Sequence, residues 1–363
     1  MKQLVSILIP AFKAQEWIAE TVKSAINQTW QRKEIIVVDD GSPDETLSIV
    51  RKFASKNLEV CTQENQGAAA ARNKALSLCQ GDYIQWLDAD DLLSPDKIAR
   101  QMAILEGCQD SRLLLSSAWG RFNHRAKRAT FIPTSLWCDL TPAEWLIRKI
   151  GENLFMQTAA WLVSRELSEA ADPWDTRMIS DDDGEYFARV IVASSFVRFV
   201  PDARSYYRIR PSNRLSYIGH SDKKKDALFL SMQLHVKYLR SLEDSDRVRG
   251  ACLTFLQNLM FNFYPERPDI VKELEKLAGE LGGRLDPPRL RGKYAWIKPL
   301  FGWSSAKRAQ LFLPNFKASL MRSWDWGMHN LESRGCGNPR EGRPSSRESR
   351  NSPIDINKLT GQS

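Results

Sequence analysis

The amino-acid sequence predicts an α/β fold in which helices flank a mostly parallel sheet. Buried-type strands alternate with amphipathic helices over about the first 105 residues, which is typical of βαβ units. Two acidic clusters, at 39–40 and 88–91, each directly follow one of these strands. Because ligands of such sheets bind beyond the carboxyl ends of the strands, the sequence predicts a binding site at one sheet edge.

The first elements follow from the hydrophobic pattern. Residues 4–9 are a continuous apolar run that predicts a strand covered on both faces, and 34–38 predict a second one. Apolar residues spaced three to four apart between Trp17 and Ile26 predict a helix. Residues 42–45 match a capping box with proline at the first helical position, so the next helix is expected to begin there.

The later elements are predicted on the same grounds. The expected strands are 58–61, 83–87, 113–118 and 196–200, and the expected helices are 68–78, one that begins at Ser94, and several within 221–285. A main domain is expected over 1–220, a helical, basic and aromatic region over 221–332, and a disordered tail over 333–363, where apolar residues are scarce.

Composition excludes several classes of protein. Hydrophobic residues make up 42% and charged residues 26% of the 363, an ordinary globular mixture, and the net charge of +8 favours an anionic partner. Six scattered cysteines without a CxxC pair, and four histidines without ligand spacing, argue against a disulfide framework or a zinc site. Phosphate-loop, GxGxxG and GxSxG motifs are absent, so ATPase, dinucleotide oxidoreductase and esterase functions are poor candidates.

Cellular location is predicted from the same sequence. The apolar run near the N-terminus is short and is interrupted by Pro10, unlike a signal peptide. No uncharged apolar stretch approaches about 18 residues, the length of a membrane-spanning helix. We therefore expect a cytoplasmic protein.

Asp88-Ala89-Asp90 raises the possibility of a metal site. Alternate residues of an extended chain point the same way, so these two carboxylates can converge on one hard cation such as Mg²⁺ or Mn²⁺. Such a cation would remove the repulsion within the cluster and recruit a diphosphate. The alternative left open is a solvated loop whose acids cap the following helix.

Asp39 and Asp40 form the second cluster, followed by Gly41, which permits a tight turn. A carboxylate at a strand end can accept an N–H from a flat base, for example the imide of uracil. The alternative is capping of the following helix. Ser42 is expected to fill that capping role, which leaves Asp39 without a structural one.

Two helix starts complete the predicted site. Gly67 and the alanines behind it let a ligand approach the backbone closely, and Arg72 lies about one turn inside that helix, where it suits a phosphate or a base. Three aspartates, 181–183, precede another predicted helix. They either stabilise its positive end or supply a general base, with Arg189 orienting or pairing within the site.

These motifs together resemble family 2 glycosyltransferases. The segments SILIPAFKAQEWIAETVKSAINQTW, EIIVVDDGSPDET, NQGAAAARNKAL and GDYIQWLDADD occur in the family's order and spacing over about 3–105. The resemblance resumes within 155–216 through AAWLVSREL, PWDTRMISDDDGEYFARV and SYYRIRPSNRLS. It implies a GT-A-type, Rossmann-like fold and inverting, metal-dependent transfer of a sugar from a nucleotide donor, with UDP expected.

The resemblance also implies roles for single residues. Asp183 would be the general base, since the family's Arg follows its base by six positions, and Asp182 stands where Glu is usual. The assignment stays open by one residue within 181–183. The remaining implied roles are these: Pro10, Ala11 and Phe12 flank the base, Asp39 with Asp40 binds uracil, Arg72 binds the base or phosphate, and Asp88 and Asp90 bind the metal, Mn²⁺ or Mg²⁺.

The expected partners are a nucleotide sugar and a saccharide or lipid-linked acceptor in cell-surface glycan synthesis, and no nucleic acid. Tryptophans and an excess of cations over 290–332 predict contact with an anionic membrane, at the inner face of the plasma membrane. The alternative is a helical subdomain whose tryptophans are core. Other functions left open are a nucleotidyltransferase and an inactive carbohydrate-binding relative.

Overall fold

The protein is represented by a computed structural model that describes residues 3–209 and 221–310. Predictions for the tail over 333–363, and for the 210–220 and 311–332 parts of the chain, lie outside these residues. The strands are β1 (Val5–Ala11), β2 (Lys33–Asp39), β3 (Leu58–Thr62), β4 (Tyr83–Trp86), β5 (Leu92–Leu93), β6 (Leu113–Phe122), β7 (Thr130–Phe131), β8 (Val163–Ser164) and β9 (Phe196–Arg208).

The helices follow in chain order. They are α1 (Ile18–Ile26), α2 (Thr46–Arg51), α3 (Ala68–Leu78), α4 (Lys97–Ile104), α5 (Pro142–Gly151), α6 (Arg165–Ala170), α7 (Asp182–Ala193), α8 (Asp222–Leu242), α9 (Asp246–Met260), α10 (Pro268–Glu280) and α11 (Gly292–Ala295). Residues 297–310 are helical as well.

The main sheet has the strand order β3-β2-β1-β4-β8. Its first four strands are parallel, and β8 runs antiparallel to β4. The sheet is covered on both faces, because alternate side chains of β1 enter two different apolar clusters: Leu8 lies in one, and Ile7 and Ile9 lie in the other. The predicted α/β class and parallel sheet are therefore confirmed.

A second sheet, in the order β5-β9-β6-β7, is built on the long parallel pair β6 and β9. The sequence predicts only the first halves of these two strands. Their second halves carry polar residues on the alternate face and follow a register shift at Ser117/Ala118, which interrupts the hydrophobic pattern.

The start of α2 differs from the prediction. The helix begins at Thr46, and the Ser42 hydroxyl accepts a hydrogen bond from the Lys13 backbone N–H at 3.1 Å instead of capping the helix. Asp44 holds the first turn, since one carboxylate oxygen accepts bonds from the N–H and hydroxyl of Thr46 at 3.0 and 2.5 Å. The predicted capping box is wrong because a tertiary contact takes its serine.

The helices α8 to α10 share a core with the main sheet. Leu228, Met232 and Val236 of α8 belong to the same apolar cluster as Leu8 of β1 and Trp86 of β4. The predicted domain boundary at 220 adjoins residues that the structure does not describe. On the described side of it, the C-terminal helices pack against the sheet domain.

Candidate active site

The two predicted acidic clusters lie at one edge of the main sheet. β2 and β4 both pair with β1 in parallel, so their carboxyl ends face the same way. Asp39 ends β2 opposite Ala11 in the ladder, and the Leu87 N–H that follows β4 donates to the Leu8 carbonyl at 3.0 Å. The topology therefore delivers both clusters where a parallel sheet binds its ligands.

Asp39 is buried, with 1% of its surface exposed. Its Oδ2 accepts a hydrogen bond from the Ser42 N–H at 3.2 Å, so the expectation that it has no structural role is wrong. Its Oδ1 is buried and has no hydrogen-bond partner in the structure. A buried acceptor without a donor is costly, and a ligand N–H would satisfy it.

Asp40 ties two loops together. Its carboxylate accepts bonds from the Gln63 side-chain amide and from the N–H groups of Gln66 and Gly67, at 2.8 to 2.9 Å. Gly41 beside it has a φ of +68°, and a Cβ there would lie 2.9 Å from the Asn65 nitrogen. Asp40 thus shapes the start of α3, with both oxygens occupied by protein donors.

Arg72 connects the acidic cluster after β4 with the acidic run at the start of α7. The guanidinium is buried and donates to Asp88 Oδ1 at 2.8 Å and to Asp182 Oδ2 at 2.5 Å. Burial alone would lower the pKa of Arg72, but the charges of Asp182 and Asp88 raise it, so the group stays charged. A bidentate cation here brings together carboxylates that are 94 residues apart in the sequence.

Trp174 packs its indole ring against the guanidinium of Arg72. The guanidinium carbon lies 4.3 Å from the centre of the indole ring, and the indole stacks on Tyr186 at 4.1 Å. Asn73 fixes the tryptophan by exchanging two 2.8 Å hydrogen bonds with its backbone. Neither role was predicted, although Trp174 lies in a segment that carries the family resemblance.

The cluster after β4 divides into two kinds of carboxylate. Asp88 and Asp90 are partly exposed at the edge of the sheet. Asp91 is buried, where it accepts bonds from the Arg208 N–H at 2.8 Å and the Gln157 amide at 2.7 Å. Burial, together with the charges of Asp90 and Asp88, raises the pKa of Asp91 well above its usual range, so this residue is a structural support.

Arg208 is a further residue whose role the sequence did not indicate. Its guanidinium donates to the Asp90 carbonyl at 2.8 Å and to Glu20 at 2.6 Å, and it lies 4.3 Å from the ring centre of Trp17. It thereby fixes the backbone of the acidic cluster against α1. Its segment, SYYRIR, was part of the resemblance, but no pattern within it indicates this contact.

Pro10, Ala11 and Phe12 lie where β1 leaves the sheet. Pro10 and Ala11 still pair with β2, and the Asp40 N–H donates to the Ala11 carbonyl at 2.8 Å. The Phe12 side chain is 42% exposed. This exposed aromatic ring follows β1 at the edge where β2 ends in Asp39, whose Oδ1 has no partner in the structure. Such a ring suits a flat ligand at this edge.

The three aspartates before α7 have three different environments. Asp181 adopts a left-handed backbone with φ of 58°, and its Oδ2 accepts a bond from the Ser231 hydroxyl at 2.5 Å. Asp182 pairs with Arg72. The carboxylate of Asp183 accepts a hydrogen bond only from the adjacent Gly184 N–H, at 2.9 Å, among the described residues.

Asp183 is therefore the member of the run best suited to accept a proton. Burial, followed by the charges of Asp182 and Asp181, raises its pKa to about 7. A general base works best when its pKa lies near the operating pH. Asp183 also lines a cavity with Asp181, Lys149 of α5 and apolar side chains such as Phe155.

Arg189 does not take the role expected of it. It forms a two-pronged pair with Glu185 at 2.8 Å and donates to the carbonyls of Ala171 and Asp172. The expected orienting or pairing role of Arg189 within the site is wrong, because Glu185, one helical turn earlier, and two backbone carbonyls already take its guanidinium. Arg72, from a distant helix, supplies the cation instead.

The residues that could hold a divalent cation are Asp88 and Asp90. Within 3–209 and 221–310, no group of three or more His, Cys, Asp or Glu side chains is arranged to hold a metal ion. Two carboxylates nevertheless fit Mg²⁺ or Mn²⁺ when a diphosphate supplies the other oxygens. Asp88 keeps 28% of its side chain exposed while only one of its oxygens contacts Arg72.

The fold is that of an α/β domain of the GT-A type, with the candidate site at the carboxyl edge of its main sheet. A crystal structure of S. aureus TarS 1-349 in complex with UDP-GlcNAc has the same fold: its TM-score is 0.61 at 19% identity, over 77% of this chain and 83% of that one.

Residues 6–122 match the family model described as glycosyl transferase family 2, so this segment is a domain of that type.

Curated relatives resemble the same N-terminal part. An uncharacterized glycosyltransferase of Haemophilus influenzae is 40% identical over 102 residues, which is 27% of this chain and 41% of the relative. The Escherichia coli protein named UDP-Glc:alpha-D-GlcNAc-diphosphoundecaprenol beta-1,3-glucosyltransferase WfaP is 42% identical over 106 residues, 29% of this chain and 42% of the relative. The chain thus spans about two fifths of the length of these relatives.

Proposed function

We propose that this protein is an inverting glycosyltransferase. It transfers a sugar from a nucleotide-diphosphate donor, with UDP as the nucleotide, to a hydroxyl of a saccharide or lipid-linked acceptor in cell-surface glycan synthesis. One observation carries the proposal: buried Arg72 joins Asp88, at the donor edge of the sheet, to Asp182, next to the only aspartate of 181–183 suited to act as a base.

The donor nucleotide is assigned from Asp39. Its buried, unsatisfied Oδ1 is a hydrogen-bond acceptor that needs an N–H, and the imide N3–H of uracil supplies one. Pro10, Ala11 and Phe12 flank the base in this proposal, and Asp40 holds the loop around it. TarS has been crystallised in complex with UDP and with UDP-GlcNAc, and the E. coli relative is named for UDP-Glc, which agrees with this choice.

The reaction is assigned to Asp183. The acceptor oxygen attacks the anomeric carbon of the sugar while the bond from that carbon to the diphosphate oxygen breaks, and the leaving oxygen takes the bonding electrons. Asp183 takes the proton from the acceptor hydroxyl. Its raised pKa gives it the affinity for a proton that an ordinary aspartate lacks at neutral pH. Asp182 keeps Arg72 in place beside it.

Asp88 and Asp90 would hold Mn²⁺ or Mg²⁺ together with the donor's diphosphate. When bound, such a cation stabilises negative charge on the departing diphosphate. Arg72 contributes a fixed positive charge from the protein to the same end of the site, in a buried position where it is weakly screened.

A thermal-shift screen followed by turnover measurements tests this function. UDP-sugars should raise the melting temperature more than GDP- or dTDP-sugars do, and Mn²⁺ or Mg²⁺ should increase the shift. Asp183→Asn should abolish release of UDP from the donor while leaving UDP binding intact. Equal loss of binding and turnover would mean that Asp183 has a structural role, and the absence of any nucleotide-sugar binding would overturn the whole proposal.

The region 290–310 supports the proposed contact with an anionic membrane. Trp296, Leu300 and Phe301 expose 61%, 68% and 67% of their surfaces, so these side chains are not core. Residues 287–310 include six Lys or Arg and no acid. None of the helices in the described ranges combines the length and apolar character needed to cross a bilayer. Apolar side chains beside cations suit the interface of an anionic membrane.

Sedimentation with vesicles tests this contact. The full chain should bind vesicles that contain phosphatidylglycerol and bind pure phosphatidylcholine vesicles weakly, and replacing Trp296, Leu300 and Phe301 by Ser should abolish the difference. Ile132, which is 59% exposed elsewhere on the surface, provides the matched control through Ile132→Ser. Unchanged binding by the triple variant would refute a membrane role for these side chains.

A further inference from the structure

A buried chain of hydrogen bonds connects helix α8 to the acidic run before α7. The Ser231 hydroxyl donates to Asp181 Oδ2 at 2.5 Å. His235 Nδ1 lies 2.9 Å from the Ser231 carbonyl and 3.2 Å from the Ser231 hydroxyl oxygen, and His235 Nε2 lies 2.8 Å from Lys149 Nζ. Ser231 and His235 are 0% and 1% exposed, so water does not compete for these bonds.

The donors and acceptors along this chain are set by the neutral state of His235. Burial and the neighbouring Lys149 charge lower its pKa to about 4, so the imidazole carries one proton at neutral pH. Lys149 can only donate, so His235 Nε2 accepts from it and Nδ1–H donates to the Ser231 carbonyl. The Ser231 hydroxyl is thereby free to donate to Asp181.

Asp181 is the residue on which the turn before α7 depends. Its left-handed backbone lets the chain enter the helix, and its backbone carbonyl accepts a hydrogen bond from the Glu185 N–H at 3.0 Å. Its carboxylate also lies directly over Gly184, where a Cβ would come within 2.1 Å of Asp181 Oδ1. This carboxylate therefore packs against the turn 182–184, which includes Asp183.

A second contact from α8 reaches the same turn. The Tyr238 hydroxyl donates to Glu185 Oε1 at 2.7 Å, and Glu185 in turn pairs with Arg189. Ser231 and Tyr238, about two helical turns apart on the same face of α8, thus both hold the first turn of α7. Both lie outside the 6–122 stretch that matches the family model.

We infer that Ser231 on α8 is a positioning residue, which clamps Asp181 and thereby fixes Asp183 in the geometry needed for proton transfer. This inference rests on the proposed function, in which Asp183 is the base. It makes α8 part of the catalytic unit, and it assigns Asp181 a supporting role instead of a chemical one.

Turnover per nucleotide-binding site tests the clamp. Ser231→Ala should lower kcat roughly tenfold to a hundredfold, as expected for a small misplacement of a reacting group, with the Kd for UDP unchanged. Ser241→Ala, on the exposed side of the same helix, should retain the wild-type kcat, since its hydroxyl donates only to the Tyr238 carbonyl at 2.7 Å. Active sites are counted by UDP binding, so partial unfolding cannot imitate a loss of kcat.

Substitutions of Asp181 separate the clamp from other roles. Asp181→Gly keeps the left-handed backbone accessible but removes the acceptor, and it should lower kcat as much as Ser231→Ala does. Asp181→Asn restores an acceptor oxygen and should recover kcat to within about threefold of wild type, as the clamp requires but a chemical role for Asp181 does not. Asp181→Asn as inactive as Asp183→Asn would overturn the assignment.

The double variant Ser231→Ala with Asp181→Gly decides whether the two residues act as one unit. Its loss of kcat should be no larger than that of either single variant, because each already breaks the clamp. Additive losses, or a wild-type kcat in Ser231→Ala, would refute the clamp and leave the proposed function standing.

Failure of the proposed function would show differently: the wild type would release no UDP from any donor. The wild type, Ser231→Ala, Asp181→Gly and their double variant then test the clamp through urea unfolding midpoints. If Ser231→Ala does not fold, Asp181→Gly and Asp181→Asn carry the test, with the same expected and contrary results.

Discussion

The raised pKa of Asp183 makes the activity of the wild-type enzyme depend on pH in a defined way. With a pKa of about 7, the fraction of Asp183 that is ionised is about one eleventh at pH 6 and about ten elevenths at pH 8. Turnover of the bound donor should therefore rise about tenfold between these pH values. Asp183→Asn cannot accept the proton, so its residual turnover should be at least about a hundredfold lower and should not rise with pH.

The same shift affects stability. The pKa of Asp183 is higher in the folded protein than its ordinary value of 3.8, so the folded state binds this proton more tightly than the unfolded state does. The cost of ionising Asp183 is absent below about pH 4, grows as the pH rises to 7, and is complete above pH 7. At about 1.4 kcal/mol per pKa unit, this cost is at most about 4 kcal/mol.

Urea unfolding of the wild type and Asp183→Asn at pH 5 and pH 8 measures this cost. The asparagine cannot ionise, so the variant should gain stability relative to the wild type between these two pH values. Asp202→Asn, which removes a carboxylate with a 70% exposed side chain, should show no such change. If the difference between the Asp183→Asn and wild-type free energies of unfolding is the same at both pH values, the reasoning about burial and neighbouring acids fails.

Three further substitutions follow from the site. Gly184→Ala places a Cβ 2.1 Å from Asp181 Oδ1, so it should displace the turn and lower kcat roughly a hundredfold, whereas Gly250→Ala, on an open helix surface, should retain activity. Arg72→Lys keeps a charge but loses the two-pronged contact, so both the melting temperature and donor affinity should fall; unchanged donor affinity would exclude Arg72 from binding. Asp39→Ala should weaken UDP binding about tenfold to a hundredfold and CDP binding much less, because cytosine lacks the imide N–H; equal losses would contradict the uracil assignment.

The sequence was sufficient for the four parallel strands of the main sheet, although not for β8, and for one side of the site. Continuous apolar runs give β1 and β2, and parallel pairing then brings the ends of β2 and β4 to the same edge without any further information. The predicted helix 68–78 agrees with α3 in both limits, because alanines favour the helix and Gly67, with φ of 93°, ends the loop before it.

Contacts between distant segments account for what the sequence did not indicate. The serine of the expected capping box satisfies Lys13 instead of its own helix, and Arg189 satisfies Glu185 instead of the acidic run. Both predictions rested on local spacing. When a polar group can reach either a local or a distant partner, tertiary packing decides which hydrogen bond forms. No spacing rule relates Arg72 to Asp182, 110 residues away.

The run 181–183 shows why residue type alone does not assign a catalytic base. Three identical side chains, adjacent in sequence, differ only in what the fold places beside them: a hydroxyl from α8 at Asp181, a guanidinium from α3 at Asp182, and mainly buried surroundings at Asp183. The carboxylates of Asp181 and Asp182 already have an oxygen engaged by a hydroxyl or a cation. Among the described residues, neither kind of partner holds Asp183, and burial raises the pKa of that carboxylate. The Asp181 carboxylate lies where a Cβ of residue 184 would be, so only glycine fits at that position. This requirement fixes which of the three aspartates occupies each environment.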